Sequence, residues 1–200
     1  MDTHVFIDAS NIRSSCTKSC NFRIDFLKLI VYLKEKYEKL VNVNYYEGIA
    51  SDDKEKKKYF EELEKTGFLV RSLTRRTYED PAIFKYFSCN KCGKRNRVQI
   101  LPKTVKMKSN VDVFLATEML EVAHFADKPT HIILFSCDGD YAEAILSAAK
   151  NPKVKITVIA TPSIKDIKKN TVSIRLKRLR KELPGQYQLV NILSIKDRIS

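Results

Sequence analysis

Three short acidic stretches hold the residues best suited to chemistry in this chain. Val5-Phe6-Ile7-Asp8-Ala9-Ser10-Asn11 ends an apolar run on a carboxylate, and an amide side chain follows three positions on. Asn110-Val111-Asp112 opens a helical pattern, and Phe135-Ser136-Cys137-Asp138-Gly139-Asp140 directly follows another apolar run. In an open α/β sheet the ends of such runs gather at the carboxyl edge, where ligands bind in a crevice. Each acid also has an ordinary use. Asp112 and Asp140 fall in first helical turns, where a carboxylate favours the helix dipole, and Asp138 suits an N-cap. Asp8 has no such use, because an isolated carboxylate at the tip of a buried strand is costly unless paired or metal-bound. Together the four would concentrate negative charge and raise one another's pKa until a cation neutralised them. An all-oxygen set of this kind suits Mg²⁺ or Mn²⁺.

The elements that must position these residues follow from periodicity. Residues 4–7 read as a strand ending at Asp8. Phe22, Phe26, Leu29, Ile30, Leu33 and Tyr37 then recur at helical spacing, with Asn21 as cap. Strands are expected over 41–46, 68–73, 131–135 and 154–160. A charged helix over 53–65 ends at Gly67. Val111, Phe114, Leu115 and Val122 mark one later helix, and Ala142, Ile145, Leu146 and Ala149 another. Residues 74–108 read as irregular, with a β-ribbon. From Ser163 the chain reads as basic and helical until Pro184-Gly185, and 186–190 as a last short strand. Apolar runs alternating with helical patterns indicate an α/β layered fold.

Charge and composition narrow the function classes. Thirty-seven Lys and Arg against 24 Asp and Glu leave a net charge of +13, which favours a polyanionic partner, nucleic acid before an anionic membrane. With 44% hydrophobic residues, the 200-residue chain suits one domain with at most a small appendage. No apolar run reaches membrane-spanning length. The opening Met1-Asp2-Thr3-His4 does not read as a signal peptide, and five cysteines, an odd count, argue against a disulfide framework. A cytoplasmic setting is expected.

The ordered set Asp8-Ala9-Ser10-Asn11, Lys108 to Asp112, and Ser136 to Tyr141 resembles the NYN (LabA-like) domain pattern of PIN-like ribonucleases, across roughly residues 4 to 160. The resemblance implies a Rossmann-like α/β/α sandwich with a mostly parallel central sheet, here with a Cys-x-x-Cys-containing insertion. It implies a nuclease domain over residues 1–162, with the insertion at about 74–108. Residues 163–200 would form a basic helical extension packed on the same domain. It also implies Mg²⁺- or Mn²⁺-dependent RNA cleavage, with Asp8, Asp112, Asp138 and Asp140 as the acidic cluster. Asn11 would position Asp8 or the substrate. The family often has Asp six residues after the helix acid; Glu118 stands here and lies nearly two turns from Asp112, too far to share one ion directly.

Lys91, Lys94, Arg95, Arg97, Lys103, Lys106 and Lys108 run up to the helix acid with no intervening carboxylate, and make the expected RNA arm. Tyr86 and Phe87 could stack bases. Arg175, Lys177, Arg178, Arg180 and Lys181 form a second basic block. Cys89-Asn90-Lys91-Cys92 is a knuckle-like pair, and Cys16 and Cys20, taken to lie in a loop after Asp8, offer a second. One zinc held by all four is open, as are two unrelated pairs of reduced thiols. Cys137 reads as a small buried residue.

Three functions compete. The first is a metal-dependent ribonuclease acting on single-stranded or structured RNA. The second is a non-catalytic RNA-binding module on the same scaffold, which would gain nothing from clustered carboxylates. The third is an aspartyl-phosphate enzyme, disfavoured because Ser10 stands where a second Asp is wanted. A homo-oligomer is compatible with all three.

Overall fold

Val5, Phe6 and Ile7 are fully buried, and the strand that carries them lies inside a six-stranded sheet. The computed structural model describes residues 1–162 and 171–200. In chain order the elements are β1 (Asp2–Asp8), α1 (Ala9–Cys20), α2 (Phe26–Lys36), β2 (Leu40–Ile49), α3 (Lys54–Thr66) and β3 (Leu69–Thr74). Four exposed strands follow, β4 (Arg76–Asp80), β5 (Ile83–Ser88), β6 (Arg95–Leu101) and β7 (Thr104–Lys108). Then come α4 (Val111–His124), β8 (Thr130–Phe135), α5 (Ala142–Ala148), β9 (Val154–Ala160), α6 (Ile174–Glu182), β10 (Tyr187–Asn191) and α7 (Lys196–Ile199).

The sheet order is β10-β9-β8-β1-β2-β3, with every neighbouring pair parallel. Strands buried on both faces need apolar residues at successive positions rather than alternation. β8 meets this with Ile132 to Phe135, and β9 with Val158, Ile159 and Ala160. The order reverses between β1 and β8, which makes their carboxyl ends a topological switch point. Asp8 ends β1 there, and Ser136 directly follows β8. The fold is thus the expected mixed α/β sandwich with a parallel central sheet.

Two local expectations change. The segment after Asp8 is the helix α1 rather than a loop, with Asp8 itself as N-cap. Its core-facing positions are mostly small, with Ala9, Ser15, Cys16 and Ser19 joining Ile12, so helical periodicity in apolar residues is weak although the helix packs closely. Asn21 closes the end of α1 in the left-handed region (φ 51°) instead of opening α2. Asp25 caps α2, accepting from the Leu27 and Lys28 N–H groups at 2.9 and 3.1 Å. Gly67 ends α3 at φ 106°, a conformation that favours glycine.

Residues 76–108 form two antiparallel ribbons, β4 with β7 and β5 with β6, exposed along nearly their whole length. The C-terminal elements belong to the main sheet and its core. β10 pairs with β9, and Leu176, Leu179, Ile192, Ile195 and Ile199 are buried. Residues 163–170, expected as the start of a basic helix, lie outside the described residues; α6 begins at Ile174. Among the described residues no helix is long and apolar enough to cross a membrane.

Candidate active site

Asp8 is 5% exposed, and three donors converge on its carboxylate. The Asn11 backbone N–H reaches Oδ1 at 3.2 Å, and the Ser136 and Tyr141 hydroxyls reach Oδ2 at 3.3 and 3.2 Å. These bonds favour the charged form, but burial and the nearby Asp112 outweigh them and push the Asp8 carboxyl up to about 7. Asp112, in the first turn of α4, lies with Oδ1 3.5 Å from the same Tyr141 hydroxyl. Burial, then the charges of Asp138 and Asp140, raise its pKa too. The Tyr141 hydroxyl, buried between two carboxylates, is held firmly protonated.

The third motif is fixed from within. The Asp138 side chain accepts from the Asp140 N–H at 3.0 Å and caps a single 3₁₀ turn, Gly139–Tyr141. The Asp138 N–H donates to Ser136 Oγ at 3.1 Å. Asn11 does not touch the Asp8 carboxylate with its side chain; Asn11 Oδ1 accepts from the Cys137 N–H at 2.9 Å and ties the first motif to the third. Asp140 is exposed.

Among the described residues no group of three or more His, Cys, Asp or Glu side chains stands in position to hold a metal ion. The donor chemistry at Asp8 and Asp112 nevertheless fits a hard cation. Both are oxygen ligands, they share one hydroxyl, and each is destabilised as a charge by its surroundings. Mg²⁺ commonly binds through about one or two carboxylates, with waters and substrate phosphates completing its shell.

Among the described residues the four cysteines that could share one zinc are not gathered into one group. Cys16 and Cys20 lie on α1 and approach Cys137, whereas Cys89 and Cys92 lie at the exposed turn between β5 and β6. All five cysteines are free. Because α1 is a helix, its two cysteines lie one turn apart, Cys16 buried and Cys20 half-buried. Cys137 is buried, with its sulfur 3.2 Å from the Thr161 hydroxyl.

The basic residues are spread over three places. Arg95 and Arg97 lie on β6, their guanidinium groups 4.9 Å over the Tyr86 ring and 3.4 Å over the Phe84 ring, and Lys94 sits in the turn before them. Lys106 pairs with Asp80 and Lys108 faces Arg76, both at the β4–β7 ribbon. Arg175 pairs with Glu143, and Arg178 lies beside Glu182 in a shallow cleft of α5 and α6. The α6 N-terminus abuts the acidic turn: the Ser173 N–H donates to the Cys137 carbonyl at 3.0 Å, and a side chain at Gly139 would overlap Ser173. Glu118 braces α4 against the sheet through the Tyr46 hydroxyl and Arg71 at 3.1 Å.

Sequence reasoning left Tyr141 and Ser136 without roles, though both lie within the motif it singled out. It also missed Glu47, 2% exposed at the end of β2. Glu47 accepts from Arg13 Nη1 and Lys56 Nζ, each at 2.7 Å, and from the Tyr45 hydroxyl at 2.6 Å. A carboxylate inside the run Tyr45-Tyr46-Glu47-Gly48-Ile49 was the available signal, since a buried charge needs partners.

Among curated proteins none matches this chain. The fold is similar to the crystal structure of a protein of unknown function from Vibrio parahaemolyticus, with TM-score 0.60 and 18% identity over 99% of this chain and 94% of that one. The family model for the NYN domain matches residues 2–178, covering all three acidic motifs and the sheet through β9, and the chain belongs to that family of PIN-like, ribonuclease-type domains.

Proposed function

We propose that the protein is a metal-dependent ribonuclease. The observation that carries this reading is the pairing of Asp8 and Asp112 around one Tyr141 hydroxyl, at the switch point of a parallel sheet. Two carboxylates whose ionisation is opposed by burial and by neighbouring acids have no use in a passive phosphate binder. They make sense where a cation is to be held. Asp8 and Asp112 would hold Mg²⁺ or Mn²⁺, with Asp138 and Asp140 adding negative charge nearby. When bound, such an ion supplies a water of lowered pKa and polarises the phosphodiester.

The remaining work falls to the chain itself. Ser136 and Tyr141 orient the Asp8 carboxylate by donating to Oδ2. Asn11 holds the Cys137–Asp138 backbone in register with β1. Lys108, and the α6 N-terminus carrying Arg175, flank the acids and would offset charge on the substrate backbone. The exposed ribbons, with Lys94, Arg95, Arg97 and Lys106, would bind RNA beyond the cut.

The test is cleavage of a labelled single-stranded RNA in Mg²⁺, Mn²⁺ or EDTA, by wild type and Asp8→Asn. Cleavage that needs the ion and is lost in the variant supports the proposal. Equal cleavage in EDTA, or full activity in Asp8→Asn, refutes it. Tight RNA binding without cleavage under any ion would leave an RNA-binding module.

A further inference from the structure

A cavity of about 360 Å³ opens where the β4–β7 ribbon leaves the domain, between the end of β3 and the start of α4. Thr74, Arg76, Tyr78, Lys108 and Asn110 line it, and no carboxylate does. Arg76 and Lys108 are directly opposed partners in the ribbon, so their cationic ends flank one opening. Tyr78 and Lys106 are the next pair on the same face. Among the described residues neither Arg76 nor Lys108 has an ion-pair partner within contact distance, whereas Lys106 has Asp80. Two opposed cations and no lining acid make a site for an anion.

The aromatic ring adds a second kind of recognition. Phe84 and Tyr86 on the other ribbon carry Arg97 and Arg95 over their rings. Tyr78 is 44% exposed, and among the described residues no ring or cation stacks on it. An open ring beside an anion site suits a base attached to a phosphate. The cavity lies within the range of about 300–1,000 Å³ typical of small-ligand pockets, which includes a single nucleotide. Its wall residue Asn110 is the N-cap of α4, two residues before Asp112. The cavity wall thus leads into the helix turn that carries Asp112.

We infer that this cavity is a subsite for one unpaired nucleotide of single-stranded RNA, next to the phosphate to be cut. Arg76 and Lys108 hold its phosphate and Tyr78 stacks its base. The inference rests on the nuclease reading for the word "cut" but not for binding. A base can lie on Tyr78 only when free of a helical stack, which selects single strands over duplex.

The test is fluorescence anisotropy of a labelled single-stranded hexaribonucleotide with the full-length protein in EDTA, beside a duplex of the same length. Tyr78→Ala should weaken single-strand binding about tenfold, the scale of one lost base stack. Tyr78→Phe should bind like wild type, and duplex binding should not change in either variant. Arg76→Gln should weaken binding and lower the slope of log K against log salt by about 0.7, one phosphate contact to a single strand. Both positions are exposed, and unchanged circular dichroism confirms folding. Binding within twofold of wild type for both Tyr78→Ala and Arg76→Gln overturns the inference, as does equal weakening on duplex. Because no cleavage is needed, the two proposals fail separately. Loss of binding in these variants without metal-dependent cleavage by wild type would sink the nuclease and keep the subsite.

Discussion

Asn11 and Cys137, 126 residues apart in sequence, are joined by a 2.9 Å hydrogen bond from the Cys137 N–H to the Asn11 side-chain oxygen. The bond crosses the switch point of the sheet and sets where Asp138 begins relative to Asp8. Asn11 is therefore a positioning residue. Asn11→Ala should lower stability by about 1–2 kcal/mol, because the Cys137 N–H loses its partner in a partly buried site. It should lower kcat for RNA cleavage at least tenfold with little change in RNA affinity. Denaturant melts and steady-state kinetics check this; a rise in KM alone would assign Asn11 to substrate binding.

Asp8 ties stability to pH. Its carboxyl is raised from 3.8 to about 7 in the fold, so the folded state binds the proton more tightly than the unfolded one. The charged carboxylate thus opposes folding, a penalty absent well below pH 4 and complete above about pH 7. In EDTA, Asp8→Asn should raise stability at pH 8 by on the order of 1–3 kcal/mol, partly offset because the amide nitrogen cannot accept from the donors that one carboxylate oxygen now serves. The gain should fade as pH falls towards 4. For a chain of this size that is roughly 2–4 °C in melting temperature per kcal/mol. Thermal melts across pH decide it, and a destabilised variant at pH 8 would show that the donors around Asp8 outweigh its burial.

The same displacement predicts competition between protons and cations. Cleavage at limiting Mg²⁺ should rise with pH through about 7, as Asp8 ionises, and the rise should shift to lower pH at saturating Mg²⁺. A pH profile independent of Mg²⁺ concentration would detach Asp8 from the ion.

Tyr141→Phe keeps the ring and removes the hydroxyl that lies between Asp8 and Asp112. The two carboxylates then face each other with one donor fewer. More Mg²⁺ should be needed for half-maximal cleavage, by about tenfold for one lost charge-assisted bond. Activity should largely return at saturating Mn²⁺. Titration of activity against metal checks this; an unchanged midpoint would make Tyr141 a packing residue.

Gly48 allows α4 to seat against the sheet. A Cβ there would overlap the Ser109 hydroxyl and lie 3.2 Å from the Arg75 Cγ. Gly48→Ala should cost about 1–3 kcal/mol, the usual penalty for overpacking. Adding Ser109→Gly, which removes the overlapping atoms, should recover part of that loss. Stability of the single and double variants measures the coupling.

The parallel sheet was legible because strands buried on both faces leave continuous apolar runs, and β1, β8 and β9 are such runs. The carboxylates at the end of β1 and just after β8 were legible for the same reason: a charge that follows an apolar run stands out. α1 was not legible, since small residues such as Ala9, Ser15 and Ser19 pack a helix without marking its period. A loop was expected there, which left open a meeting of Cys16 and Cys20 with Cys89 and Cys92; the segment is a helix. The sequence by itself determined the layered class, the ordered acidic motifs and the basic excess, because these depend on local periodicity and composition. Only the tertiary structure decided that Asn11 holds Cys137, that Tyr141 lies between Asp8 and Asp112, and that Glu47 is buried among Arg13, Lys56 and Tyr45. Those pairings join residues far apart in the chain, and their partners are chosen by strand order and register, which no local pattern encodes.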